Sequence, residues 1–90
     1  MNLKTVDIIL PNYNKAMYLE ECINSIINQS HKAWKLYIID DNSQDNSQTI
    51  LKNFEKIDSI NIYKLQKNMG PSFCRNLGIR ISSSEYIAFM

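Results

Sequence analysis

Three short polar stretches hold most of the side chains in this 90-residue chain that could do chemistry: Pro11-Asn12-Tyr13-Asn14, Asp40-Asp41-Asn42-Ser43 and Gln66-Lys67-Asn68-Met69-Gly70. Together they supply an aromatic ring, two adjacent carboxylates and several amides. A ring of this kind can stack on a nucleobase for about 1–3 kcal/mol, while a carboxylate or amide reads the base's hydrogen-bonding edge. An aspartate acceptor suits a base that presents an N–H, such as uracil, so the chemistry expected of these stretches in one cleft is nucleoside binding. Other reactive residue types point away from chemistry. Cys22 and Cys74 have neither the density of a disulfide framework nor the clustered spacing of a zinc site, and both read as reduced core residues. His31, next to Lys32, has no sequence neighbour suited to metal or nucleophile work and reads as a solvated loop residue, while Trp34 and Tyr37 read as core.

Each polar stretch follows a short apolar run, and these runs are what must position it. Val6–Leu10, Trp34–Ile39, Ile60–Leu65 and Tyr86–Met90 are rich in β-branched and aromatic residues and predict four strands. Between the first two, Leu19, Cys22, Ile23, Ile26 and Ile27 recur at helical spacing, predicting a helix with one face on a sheet. The second spacer carries Ile50, Leu51, Phe54 and Ile57 after Ser43 and Asp45, either of which can cap a helix start. The third opens near Pro71 and places Phe73, Cys74, Leu77 and Ile81 on one face, with Gly78 small enough for close approach. The order β-α-β-α-β-α-β predicts right-handed crossovers and an α/β fold with a Rossmann-like open parallel sheet. Strand two is apolar at successive positions, as suits a central strand covered on both faces. In such sheets ligands bind beyond the carboxyl ends of the strands, which is where the three polar stretches fall.

Composition narrows the class. A formal charge of +1, 44% hydrophobic and 21% charged residues describe an ordinary globular chain, neither disordered nor a basic nucleic-acid-binding tail. No apolar stretch approaches the ~20 residues that span a bilayer, and the first residues lack a secretory layout, so the expectation is a cytoplasmic chain. Tyr86–Met90 reads as a buried central strand with no functional loop after it, which predicts the N-terminal part of a longer protein. Two α/β rivals fail on spacing. A phospho-receiver places acidic residues after its first and third strands, and a dinucleotide-dependent dehydrogenase needs Gly-x-Gly-x-x-Gly after strand one; neither pattern is present. A non-catalytic nucleotide-binding module stays open. On the residues alone, Tyr13 also reads as a loop aromatic, Asp40 and Asp41 as turn formers, and Arg75 as a solvated helix residue.

Three segments in order, Val6-Asp7-Ile8-Ile9-Leu10-Pro11-Asn12-Tyr13-Asn14, Ile38-Ile39-Asp40-Asp41-Asn42-Ser43-Gln44-Asp45-Asn46-Ser47 and Asn68-Met69-Gly70-Pro71-Ser72-Phe73-Cys74-Arg75-Asn76-Leu77-Gly78, resemble the family 2 glycosyltransferases of GT-A fold. The resemblance runs from Val6 to Met90. It implies transfer of a sugar from a nucleotide diphosphate donor, expected to be a UDP-sugar, to an acceptor hydroxyl with inversion, in bacterial surface polysaccharide synthesis. It also implies that residues 1–90 are the N-terminal nucleotide-sugar-binding part of the domain. Pro11, Tyr13 and Asn14 would belong to the nucleoside-binding loop, Asp41 would accept from the base, Asp40 would support the same turn, and Arg75 would lie near the nucleotide. The implied divalent metal, Mg²⁺ or Mn²⁺, and the catalytic base would have their ligands and carboxylate beyond residue 90. The expected partners are then a nucleotide-sugar donor and a carbohydrate or lipid-linked acceptor, with no nucleic acid, and with membrane association only through later segments. Residues 1–90 alone would be inactive and prone to self-association. Cys74 and Asn42 stand where this family more often has alanine and glycine.

Overall fold

The computed structural model describes residues 5–90. Four strands and three helices alternate in the order expected: β1 (Val6–Asn12), α1 (Ala16–Ile27), β2 (Trp34–Asp40), α2 (Ser47–Lys52), β3 (Ile60–Lys64), α3 (Pro71–Ile81) and β4 (Tyr86–Phe89). All pairings are parallel and the sheet order is β3-β2-β1-β4. The chain therefore builds outward from β1 through β2 to β3, then returns past β1 to lay down β4. The reversal leaves a crevice beside the carboxyl end of β1.

Alternation along the strands divides the core in two. Ile8, Leu10, Leu36 and Ile38 point to one face, where α1 contributes Leu19, Ile23 and Ile26 and the α2 region contributes Leu51 and Phe54. Ile9, Tyr37 and Ile39 point to the other, beneath Cys74, Leu77 and Ile81 of α3. Strand β2 is buried at Leu36 to Ile39 in succession, as its unbroken apolar run predicts. Trp34 and Tyr37 are core residues, and the Tyr37 ring stacks on Tyr63 at 6.4 Å between centroids.

Three local features differ from the sequence expectation. Strand β1 continues through Pro11 to Asn12. Pro11 pairs with Ile39 on the β2 side, while the β4 pairing ends at Ile9 opposite Phe89, so the missing proline N–H disrupts no ladder on that edge. Helix α2 is one and a half turns long: Phe54 and Ile57 follow it in successive turns, with Phe54 still buried and Ile57 exposed. Among the described residues β4 has one strand neighbour, β1, and every residue from Tyr86 to Phe89 is exposed where the sequence predicts burial. Its apolar composition does not reveal which strands flank it; only the long-range pairing with β1 does.

Helix α3 approaches β1 more closely than any side chain would permit. A Cβ built on Gly78 would lie 2.9 Å from Cδ1 of Ile9 and closer still to its Cγ2. The expectation that Gly78 allows close packing is met, while Phe73, read as part of the same inward face, is exposed.

Candidate functional site

The carboxyl ends of β1 and β2, the loop before α3 and the first turn of α3 enclose a cleft of about 390 Å³. Its floor is built from polar side chains that are buried yet fully hydrogen-bonded. Asn12, at the end of β1, donates through Nδ2 to Asp40 Oδ1 at 2.8 Å and to Ser47 Oγ at 3.0 Å. Asp40 also accepts from the Ser43 amide at 3.0 Å, the Ser43 hydroxyl at 2.7 Å and Gln48 Nε2 at 2.6 Å. No surface of Asp40 reaches solvent. It lies under the cleft rather than in its lining, and it holds the β2–α2 turn in place.

Asp41 has the opposite orientation. Its carboxylate faces the loop before α3 and accepts from the amides of Met69 at 2.7 Å and Gly70 at 2.9 Å, and from Asn68 Nδ2 at 3.1 Å. Those amides converge because Gly70 has φ +92°, a left-handed conformation that glycine adopts without strain, and Pro71 then starts α3 with its ring at the first turn. The Cys74 thiol lies against the same carboxylate. Burial, Asp41 and, more weakly, Asp40 push its pKa up to about 11 against the opposing pull of Arg75, so Cys74 is a neutral donor at the cleft wall.

The β1–α1 loop is fixed to the β2–α2 loop by reciprocal bonds. Asn14 donates its amide to Ser43 Oγ at 2.9 Å, and its side-chain oxygen accepts from the Gln44 amide at 2.7 Å. Asn14 and Asn42 both have positive φ, 52° and 60°, a region that asparagine tolerates better than most residues. Glycine, the commoner residue expected at position 42, serves the same backbone need. Asp45 accepts from the first amides of two helices, Ala16 of α1 at 3.0 Å and Ser47 of α2 at 2.9 Å. Its bond with the Ser47 hydroxyl holds its pKa below the ordinary carboxylate value, against slight desolvation.

The structure thus brings Pro11, Tyr13, Asp41 and Arg75 together in one cleft lining. Tyr13 is 45% exposed at the mouth, leaving its ring open to stacking. Asn14 lies behind the mouth as a loop fastener, and Asp40 beneath the floor. Asn12 and Asn68 lie in stretches expected to form the cleft but were given no role of their own, and Lys15 and Cys74 were not expected in it; all four line it. The signal that could have singled out Asn68 is its position two residues before Gly70, at a turn into a helix. The cleft does not fit a metal. Among the described residues no group of three His, Cys, Asp or Glu could hold one, and the carboxylates of Asp40 and Asp41 are occupied by N–H, O–H and S–H donors.

A sequence profile for glycosyl transferase family 2 matches residues 7–90. The chain is 37% identical over 86 residues to TuaG of Bacillus subtilis (strain 168), a glycosyltransferase named for teichuronic acid biosynthesis, covering 94% of this chain and 34% of that protein. It is 36% identical over 93 residues to the poly(ribitol-phosphate) beta-N-acetylglucosaminyltransferase TarP of Staphylococcus aureus (strain N315), covering 98% of this chain and 28% of TarP. Among solved structures, S. aureus TarS 1-349 in complex with UDP-GlcNAc superposes with a TM-score of 0.87 at 25% identity, over 96% of this chain and 26% of that one. The chain spans about a third or less of the length of these relatives.

Proposed function

We propose, from the premise that this chain belongs to glycosyl transferase family 2 and has its GT-A type of open parallel sheet, that residues 1–90 form the nucleoside-binding part of a sugar transferase. The donor is a UDP-sugar and the acceptor a hydroxyl on a carbohydrate or lipid-linked carrier in bacterial surface polysaccharide synthesis, with inversion at the transferred carbon. One observation carries this reading: an exposed aromatic ring, Tyr13, shares a cleft with a buried aspartate acceptor, Asp41, at the reversal point of a parallel sheet. The UDP-GlcNAc and UDP complexes of TarS support the choice of uridine, and the polymers for which TuaG and TarP are named support surface polysaccharide synthesis.

The chemistry follows from hydrogen-bond types. Uracil has a ring N–H that an aspartate can accept, whereas the ring nitrogens of adenine's pairing edge are acceptors and meet a carboxylate with repulsion. Three N–H donors and the Cys74 thiol already meet Asp41; the thiol is the weakest of the four, and a base N–H can take its place at the carboxylate. The Tyr13 ring gives the base a face to stack on. These residues bind and orient; none of them has a claim to deprotonate an acceptor. The divalent metal and the catalytic base expected of the family belong to residues outside this stretch. No described helix is long and apolar enough to cross a membrane.

Calorimetric titration of the intact protein with UDP and ADP tests the reading. UDP should bind about tenfold or more tightly than ADP, the worth of one hydrogen bond gained against one repulsive contact. Tyr13→Ala should weaken both nucleotides, and Asp41→Asn should narrow the gap between them. Equal affinity for UDP and ADP in the unmodified protein would overturn the assignment.

A further inference from the structure

Charge is unevenly distributed along the chain. Residues 59–84, which take in β3, the following loop and α3, contain Lys64, Lys67, Arg75 and Arg80 and no Asp or Glu; the rest of the chain holds six basic side chains and all nine acidic ones. The β3–α3 unit is therefore net +4 in a chain of net +1. Arg75 belongs to the cleft, while Lys64, Lys67 and Arg80 lie outside its lining. A charge asymmetry of this size marks a surface suited to an anionic partner.

The same unit exposes apolar side chains. Phe73, Leu77 and Arg80 stand at i, i+4 and i+7 of α3 and form one stripe along its side. Leu77 packs at the edge of the cluster around Tyr37, and the Tyr63 ring of β3 stacks on Tyr37, so the stripe lies on the β3 side of the helix. Tyr63, Met69 and Phe73 are 39–41% exposed. Lys67, two residues before Met69, and Arg80, at the far end of the stripe, are exposed as well, and neither makes an ion pair among the described residues. The helix dipole accounts for a cation in the last turn of α3, but no packing accounts for Phe73 and Met69 in water.

We propose that this side of the β3–α3 unit docks on an anionic membrane surface, with Phe73 and Met69 entering the headgroup layer and Lys67 and Arg80 meeting lipid phosphates. Charge decides the occupant. Anionic headgroups gain about fivefold in binding for each cation held near them, whereas a second copy of the chain would bring two surfaces of like charge together. Aromatic and thioether tips among cations suit the boundary between headgroups and acyl chains, where each kind of group meets its own surroundings. The docking goes beyond the nucleotide reading and does not depend on it. Its consequence for that reading is positional: Met69 also gives its amide to Asp41, so the surface begins at the cleft and brings it to the plane in which a lipid-linked acceptor lies.

The test is flotation of the intact protein, without nucleotide, with vesicles of phosphatidylcholine alone and of phosphatidylcholine mixed with phosphatidylglycerol. Binding should favour the anionic vesicles and fall as salt is raised. Lys67→Gln combined with Arg80→Gln should weaken binding to anionic vesicles by about tenfold, and Phe73→Ser by a similar factor. Lys52→Gln combined with Lys56→Gln removes the same charge outside the β3–α3 unit and should leave binding within about twofold. All three variants change exposed side chains, and their thermal midpoints should match the unmodified protein. Equal binding to the two kinds of vesicle overturns the proposal, as does a Lys67/Arg80 variant no weaker than the Lys52/Lys56 variant, or a Phe73→Ser variant that binds as the unmodified protein does. A dimer of the intact protein that Phe73→Ser dissociates would assign the surface to a second copy and overturn it as well. None of these outcomes bears on whether UDP binds, so the nucleotide reading stands or falls separately.

Discussion

Adjacent aspartates can have separate tasks because successive residues at the end of a strand point to opposite sides. Asp40 is turned into the β2–α2 junction and Asp41 towards the loop before α3, so one pair of carboxylates organises two walls of one cleft. That Asp41 belongs to the cleft could be read from sequence; that it also fastens residues 68–70 could not, because its donors lie 27 to 29 positions away. A third buried aspartate, Asp7, gave no functional signal and has a structural task. Its carboxylate, near the start of β1, accepts from the amides of Ser83 and Ser84 and from the Ser84 hydroxyl at 2.7 Å. Burial alone would raise its pKa, but these three bonds and nearby Lys35 leave it below the ordinary aspartate value. Because the folded pKa is the lower one, this stabilisation is fully present above the unfolded pKa and is lost as pH falls through the folded value. Asp7→Asn should cost about 1–3 kcal/mol in urea unfolding at pH 7, with the difference shrinking as pH falls below the ordinary aspartate pKa of about 3.9. A difference that is the same at both pH values would show that the charge at Asp7 contributes nothing.

At the scale of elements, periodicity made α1 legible because all five of its expected apolar positions pack on one core. Helix α2 was legible in place but not in length: Phe54 reaches the core from a turn, and the apolar spacing alone cannot separate that from another turn of helix. Helix α3 rests on a contact between two residues, one of which has no side chain. Gly78→Ala removes the conformational freedom of a mid-helix glycine, a gain of up to ~1 kcal/mol, but forces a methyl group into the fully buried Ile9 side chain. Overpacking of this kind costs about 1–3 kcal/mol, so the variant should be net destabilised by up to about 2 kcal/mol. Gly78→Ala combined with Ile9→Val should recover part of that loss in thermal unfolding. A single variant more stable than the parent would mean that α3 can shift away from β1 at little cost.

For the whole molecule, the parallel order of the sheet was legible from the spacing of its strands, while the pairing of β4 with β1 was not. Tyr86, Ile87 and Phe89 are 37–48% exposed, and among the described residues the outer edge of β4 pairs with nothing. Residues 1–90 by themselves should therefore associate, through strand pairing or burial of this apolar strand. Sedimentation velocity across a hundredfold concentration range should show growth in mass, and Ile87→Lys should suppress it; a constant monomer would count against β4 as the sticky element. The same layout bears on how a nascent chain is protected as it leaves the ribosome. Strand β1 is made before β4, which will take up one of its flanks, and the serines that satisfy Asp7 follow it by 76 and 77 residues. Until then Asp7 is an unmet charge near the start of an otherwise largely aliphatic strand, the kind of gatekeeper that discourages open strands on neighbouring ribosomes from pairing. The residue that locks the finished sheet is thus also the one that keeps the unfinished sheet apart from others.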